Sequence, residues 1–219
     1  MKRIIKISLI LLLVGMAVIA AVPFFKEKRA ERKYENEFKK IQESVTEKKS
    51  DVNGLVKKNK DCIGYVEIPG TTISYPVMQT KDNPDFYLNH DFNRNYSFYG
   101  TPYLSAYCDV EKSDNLIIYG HNINGGKMFG ALEQYKDKEF FYKHRKIYFT
   151  TDKKREYEVF AVMSVNIHEF EYWKFVMARD EKEYDEFVDK VEEHSLWRQG
   201  NKPKYGEQML MLSTCDNGK

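Results

Sequence analysis

One thiol and one imidazole stand where a chain can carry out nucleophilic chemistry. Cys215 closes an uncharged run, Met209-Leu210-Met211-Leu212-Ser213-Thr214-Cys215, bounded upstream by Pro203 and Gly206 and downstream by Asp216-Asn217-Gly218. That length suits a strand rather than a helix, so the cysteine falls where a buried strand leaves the core. His121 has the same setting, following the apolar Leu116-Ile117-Ile118-Tyr119 through Gly120 and preceding Asn122. A cysteine and a histidine on the exits of two core strands can meet in a sheet. The thiolate is then the nucleophile, and the imidazole stabilises it or protonates a leaving amine. Each residue also has a plainer reading: a free cysteine is commonly a small buried hydrophobe, and His121 can be a turn residue with no role. His90, His144, His168 and His194 lack the strand-exit setting and read as surface or packing residues. Acyl transfer further needs donors for an oxyanion, and the residue pattern names none.

The elements that must position this pair read as mostly β with added helices. Strands are expected at Cys62 to Pro69, Ile73 to Met78, Thr101 to Tyr107, Asn115 to Tyr119, Lys146 to Thr150, Tyr157 to Val165 and the cysteine run. Asp82 to Gly100, polar, aromatic and rich in Asn, suits a long surface loop with one helical turn. Met128 to Tyr135 reads as a short helical stretch. Glu181 to His194 is the one strong helix of this part, with Tyr184, Phe187, Val188 and Val191 at helical spacing as a core-facing stripe.

Ahead of this part the chain changes character. Met1 to Lys6 is basic, forming a cytoplasmic tip, and Ile7 to Phe25 is almost wholly apolar. About 20 apolar residues cross a bilayer as a helix, so 7–25 is expected to be a transmembrane anchor, with a cleaved secretory signal ending near Ala20-Ala21 as the competing reading. Lys26, Lys28, Arg29, Arg32 and Lys33 keep the positive-inside count from fixing the orientation. A single-pass protein of the cell membrane with the bulk of its chain outside is expected, because long domains translocate largely regardless of charge. Residues 26–60 read as a helical spacer, with Tyr34, Phe38, Ile41 and Val45 on one face, and 61–219 as the globular domain.

At 219 residues, 42% of them apolar, the chain supports one full core. The net charge of +2 includes Lys2, Arg3 and Lys6, and without them the remainder is close to neutral. That removes any electrostatic case for a nucleic-acid partner. Cys62, Cys108 and Cys215 are too few for a disulfide framework or a structural zinc site, and at least one must be unpaired.

The segment Asn115-Leu116-Ile117-Ile118-Tyr119-Gly120-His121-Asn122, then Gly126-Lys127-Met128-Phe129, together with Leu212-Ser213-Thr214-Cys215, resembles the class B sortases of Gram-positive bacteria. The resemblance runs from about Asp61 to Cys215, and the helix ahead of the cysteine strand marks class B rather than class A. It implies the closed, mostly antiparallel sortase β-barrel with added helices. It makes Cys215 the nucleophile that cleaves a Thr-Gly or Thr-Asn bond in a sorting signal of the Asn-Pro-x-Thr type. His121 becomes the acid/base partner, and Leu88 and Ser213 become groove residues that bind substrate. The implied partners are surface proteins bearing that signal and an amine of a cell-wall peptide or lipid-linked precursor. No metal or other cofactor is expected. Two departures accompany the resemblance. Family members usually have Thr where this chain has Met211. The family's arginine lies on a last strand roughly ten residues past the cysteine, whereas only Asp216-Asn217-Gly218-Lys219 follow here. A barrel lacking its last strand and an impaired enzyme are therefore expected, since one oxyanion donor is worth about 10² to 10³ in rate. Arg94, Arg145, Arg155, Arg198 and Lys219 offer no evident substitute, and Asp216 is a loop acid that could orient the histidine. The rival readings are a non-catalytic, membrane-tethered module that binds sorting peptides, and a hydrolytic cysteine peptidase.

Overall fold

The computed structural model describes residues 15–33, 35–36, 39, 52–198 and 202–215. The chain divides into two compact units, Met1–Glu47 and Lys48–Lys219. In the first, residues 15–33 form a helix, α1. Its apolar stretch ends at Phe25 and gives way to Lys26, Glu27, Lys28, Arg29, Glu31, Arg32 and Lys33. Among the described residues, no helix is long and apolar enough to cross a membrane. The expected transmembrane anchor over 7–25 is corrected by this finding, and the single-pass cell-membrane placement falls with it. Residues 1–14, holding the basic tip and the first part of that stretch, lie outside the described residues. So do Tyr34, Phe38, Ile41 and Val45 of the expected spacer stripe.

The second unit begins with α2 (Val52–Lys58), whose Val52 and Leu55 are buried. Strands β1 (Cys62–Glu67) and β2 (Ser74–Met78) form an antiparallel pair across the Pro69-Gly70 turn. A strap over residues 79–102 follows, containing one 3-10 turn at Phe86–Leu88. Next come β3 (Tyr103–Leu104), β4 (Asn115–Tyr119) and a small hairpin of β5 (Asn122–Ile123) with β6 (Lys127–Met128). A 3-10 segment at Phe129–Lys136 leads into α3 (Lys138–Lys143), which Asp137 caps by accepting from the Phe140 amide at 2.8 Å. Strands β7 (Lys146–Thr150), β8 (Lys154–Glu158) and β9 (Ala161–Met163) precede α4 (Glu181–Glu193), β10 (Ser195–Arg198) and β11 (Met209–Ser213).

Seven strands form one sheet in the order β11-β4-β3-β2-β1-β7-β8. Its two edges approach each other, because the Tyr157 hydroxyl of β8 donates to Gln208, one residue before β11, at 2.7 Å. Gln208 in turn donates to the Val110 and Ser113 carbonyls, both at 2.9 Å. The result is a nearly closed barrel, as expected. The expected strand over 157–165 is divided after Glu158: the Val159 amide makes the last bond in register with β7, to the Arg145 carbonyl at 2.8 Å, and the chain then turns away to β9. That strand pairs with β10 in a separate two-stranded sheet. The cysteine run was expected to be buried, yet only Met209 is, since β11 lies on the sheet edge and has one strand neighbour among the described residues.

Helix α4 explains how that edge strand is held. Asp180 caps it, accepting from the Glu183 amide at 2.9 Å, a contact typically worth about 1 kcal/mol. Its buried stripe, Tyr184, Phe187, Val188 and Val191, packs in one cluster with Phe170 and Met209. The Tyr184 hydroxyl also donates to the Glu207 carbonyl at 2.7 Å. The start of the cysteine strand is thus fixed by apolar burial and a hydrogen bond two residues upstream.

Candidate active site

Strands β4 and β11 are parallel neighbours, in register from Met209 opposite Asn115 to Ser213 opposite Tyr119. Leu116, Ile117 and Ile118 are fully buried, which makes β4 a rigid support. The pairing continues past the last register pair: the Gly120 amide donates to the Ser213 carbonyl at 3.0 Å, and Thr214 Oγ1 donates to the Gly120 carbonyl at 2.7 Å. His121 and Cys215 each lie two residues beyond that pair, on exits of strands spaced about 4.8 Å apart. The two sequence-predicted chemical residues are therefore brought to one end of one seam.

Gly120 is required between strand and histidine. A Cβ there would meet the buried Phe129 ring at 2.6 Å, so the ring and the backbone can approach only where no side chain intervenes. The same close packing lets the Phe129 amide donate to the His121 carbonyl at 2.9 Å. Asn122 adds a clamp. Its Nδ2 has two protons, and it donates to the Cys215 carbonyl at 2.8 Å and to Glu133 Oε1 at 3.0 Å. Glu133 is held by Lys136 at 2.7 Å.

The imidazole is oriented from the other side. His121 Nε2 lies 2.7 Å from the Leu88 carbonyl, and the Phe98 ring lies nearly parallel to the imidazole, 12° off, at a centroid distance of 6.5 Å. Leu88 thus meets the imidazole through its backbone carbonyl, and the residue is 40% exposed. Ser213 reaches the site, its hydroxyl 2.8 Å from that of Tyr172. Tyr103 and Tyr119, in register across β3 and β4, pack at 5.5 Å, and the Tyr103 hydroxyl donates to Asp85 at 3.2 Å. Burial pushes the Tyr119 phenol up to about 12 and raises that of Tyr103 as well. Both phenols are neutral hydroxyls at physiological pH.

The three thiols are free, and they divide sharply. Burial pushes Cys62 up to about 12 and raises Cys108, so neither is a thiolate near neutrality. Cys215 alone is exposed. Three of the other four histidines have ring contacts elsewhere: His90 Nδ1 with the Phe86 carbonyl at 2.7 Å, His144 Nδ1 with the Pro69 carbonyl at 2.9 Å and His194 Nδ1 with the Lys190 carbonyl at 2.8 Å, while His168 lies in the loop ahead of α4 with its amide donating to Asn166 Oδ1 at 2.9 Å. Arg94, Arg145 and Arg155 are paired with Asp61, Glu158 and Glu111. Asp216 and Lys219 lie outside the described residues.

Asn122, Tyr172 and Asp85 were not singled out from sequence. Asn122 had a signal, since it follows the histidine directly. Tyr172 had none, because its contact with Ser213 spans a loop whose path no local pattern dictates.

The chain matches the family model for the sortase domain over residues 66–219. It is 32% identical over 175 residues to sortase B of Listeria monocytogenes, covering 79% of this chain and 70% of that protein. Its structure superposes on sortase B of Clostridium perfringens with a TM-score of 0.72 at 28% identity, covering 76% of this chain and 92% of the other. A sortase B–substrate complex of Staphylococcus aureus matches with a TM-score of 0.73 at 26% identity, covering 88% and 90%. With the barrel, the His and Cys strand exits and these relatives all agreeing, the chain belongs to the sortase family, in its class B.

Proposed function

We propose that Cys215 and His121 are the acyl-transfer pair through which this chain, a sortase-type cysteine transpeptidase, sorts surface proteins. The observation that supports this reading is the parallel β4–β11 seam, from the same end of which His121 and Cys215 both leave. The Cys215 thiolate attacks the carbonyl carbon of a threonine in a sorting signal of the Asn-Pro-x-Thr type, forming a C–S bond. The C–N bond to the following residue breaks, and the leaving amine takes its proton from His121. An amine of a cell-wall peptide or lipid-linked precursor then attacks the thioester carbonyl, forming the new C–N bond as the C–S bond breaks, and its surplus proton passes to His121 as the Cys215 thiolate is released. We assign this chemistry to residues 61–219, with Leu88 and Ser213 lining the groove that holds the signal. Support for the groove is local: both lie beside the pair, and Tyr172 fixes the Ser213 hydroxyl.

The test is incubation with a fluorogenic sorting peptide and an amine acceptor, reading the joined product by mass spectrometry. Transfer by the unaltered chain that disappears in Cys215→Ala is expected. Cleavage that persists in Cys215→Ala overturns the assignment, and release of free acid despite saturating amine favours a peptidase.

A further inference from the structure

His121 has two ring nitrogens, and only one of them can exchange a proton with the reacting groups. We infer that this nitrogen is Nδ1, because the Leu88 carbonyl holds the Nε2 proton, and that Gly100 is the positioning residue that keeps this carbonyl in place. The inference deepens the reading of His121 as acid/base and rests on it.

A carbonyl oxygen accepts and never donates, so the 2.7 Å contact between Nε2 and the Leu88 oxygen requires a proton on Nε2. In the neutral ring this fixes the Nε2–H tautomer and leaves Nδ1 as the base. In the cation both nitrogens carry protons, yet Nε2–H remains tied to the carbonyl, so Nδ1 is again the one that gives its proton up. The Cys215 proton therefore passes to Nδ1 as the thiolate forms. The same proton leaves from Nδ1 to the departing amine nitrogen, and the ring returns to its starting tautomer.

The carbonyl's position is set by the strap. Leu88 closes the 3-10 turn, with its amide bonded to the Asp85 carbonyl at 3.0 Å. On either side, the Thr101 amide donates to the Tyr87 carbonyl at 2.9 Å and the Ser97 amide to the Asn89 carbonyl at 2.9 Å. Tyr87 is buried, and its hydroxyl donates to Asp61 while accepting from Asn59, both at 2.8 Å. Gly100 sits across from the carbonyl itself. It has φ +59°, and a Cβ there would meet the Leu88 oxygen at 2.4 Å, the Tyr87 oxygen at 2.7 Å and the Leu88 carbonyl carbon at 3.0 Å. Every obstructing atom is backbone, so a methyl group cannot be accommodated by a rotamer change. The segment must move, and the atom displaced most directly is the one that orients the imidazole. A displacement of about 1 Å in a catalytic geometry costs on the order of 10²-fold in rate.

The experiment is 15N NMR of the full chain with labelled histidine, at a pH where the ring is neutral, together with steady-state kinetics. The unaltered chain is expected to show a protonated Nε2 and an unprotonated Nδ1 for His121, assigned by comparison with His121→Gln. In Gly100→Ala the Nδ1–H tautomer is expected to become populated, with kcat falling tenfold or more and KM changing less. Gly206→Ala, equally at positive φ (+93°) but with nothing within 4 Å of its Cβ, is expected to alter neither. An Nδ1–H tautomer in the unaltered chain overturns the inference whatever the variants do, as does a folded Gly100→Ala with unchanged spectrum and kcat. The tautomer is read without turnover, so failure here is separable from failure of the catalytic assignment, which would show as full transfer activity in His121→Gln.

Discussion

The two sides of the site are built by different means. Cys215 and the backbone of His121 are set by the β4–β11 seam, a ladder in which β4 contributes the fully buried Leu116, Ile117 and Ile118. The imidazole ring is set by the strap, a loop that exposes Tyr96 and Phe98 at 73% and 70% and is tied down by side-chain and turn hydrogen bonds. A ladder fixes where two residues lie; it does not fix which nitrogen of a ring carries a proton. The site therefore divides its labour between a rigid element that gives proximity and a shaped loop that gives chemical state. Substitutions on the two sides should fail differently.

The largest effect is expected from His121→Ala, which leaves seam and strap intact but removes the proposed proton carrier. Turnover should fall by about 10² to 10⁴, the usual range for acid–base assistance, with thermal stability nearly unchanged. A fall below threefold, measured by steady-state transfer kinetics, would break the division. Next is Asn122→Ala, which cuts the seam's side-chain clamp on the Cys215 carbonyl. One hydrogen bond contributes about 0.5–1.5 kcal/mol, so kcat should drop roughly two- to tenfold while the His121 15N spectrum stays as it was. A changed tautomer in this variant would show that seam and strap are not separable.

The smallest and broadest effect comes from pH. Burial pushes Tyr65 and Tyr157 of the sheet and Tyr119 of the seam up to about 12, and raises Tyr87 of the strap. An unfolded tyrosine ionises near 10. Above that pH the unfolded chain sheds phenol protons that the folded chain keeps, so stability falls as pH rises. Urea melts should be flat below about pH 10 and lose stability from there toward 12. Seam and strap should unfold together, since each holds buried phenols. Stability that rises across this window contradicts the burial of these rings.

Much of this architecture was legible in the sequence, for identifiable reasons. Residues 115–119 carry an apolar run bounded by polar residues, and Glu181 to His194 has a clean helical stripe, so both elements were found nearly to the residue. Cys215 and His121 stand out in the sequence as candidates because each follows the end of an apolar run. Lys154–Glu158 was missed as a strand because Lys-Arg-Glu-Tyr-Glu carries charge at four of its positions, which an edge strand tolerates and a pattern search rejects. The parallel sense of β4 and β11 was not legible either, since 89 residues lie between Tyr119 and Met209 and no local pattern dictates how strands that far apart pair. The apolar run after residue 7 suggested an anchor, yet the described helix turns charged after Phe25. The role of Gly100 was illegible in principle: its significance lies in the distance to a carbonyl twelve residues away in sequence, set by a loop without repeating pattern.

Trapping the acyl-enzyme tests the pairing of Cys215 with His121 most directly. The chain is mixed with a sorting peptide in the absence of amine, quenched in acid, and mapped by mass spectrometry. A thioester is expected on Cys215 alone, forming much more slowly in His121→Ala and cleared by added amine. A thioester on Cys62 or Cys108, or equal rates of formation with and without the imidazole, would contradict it.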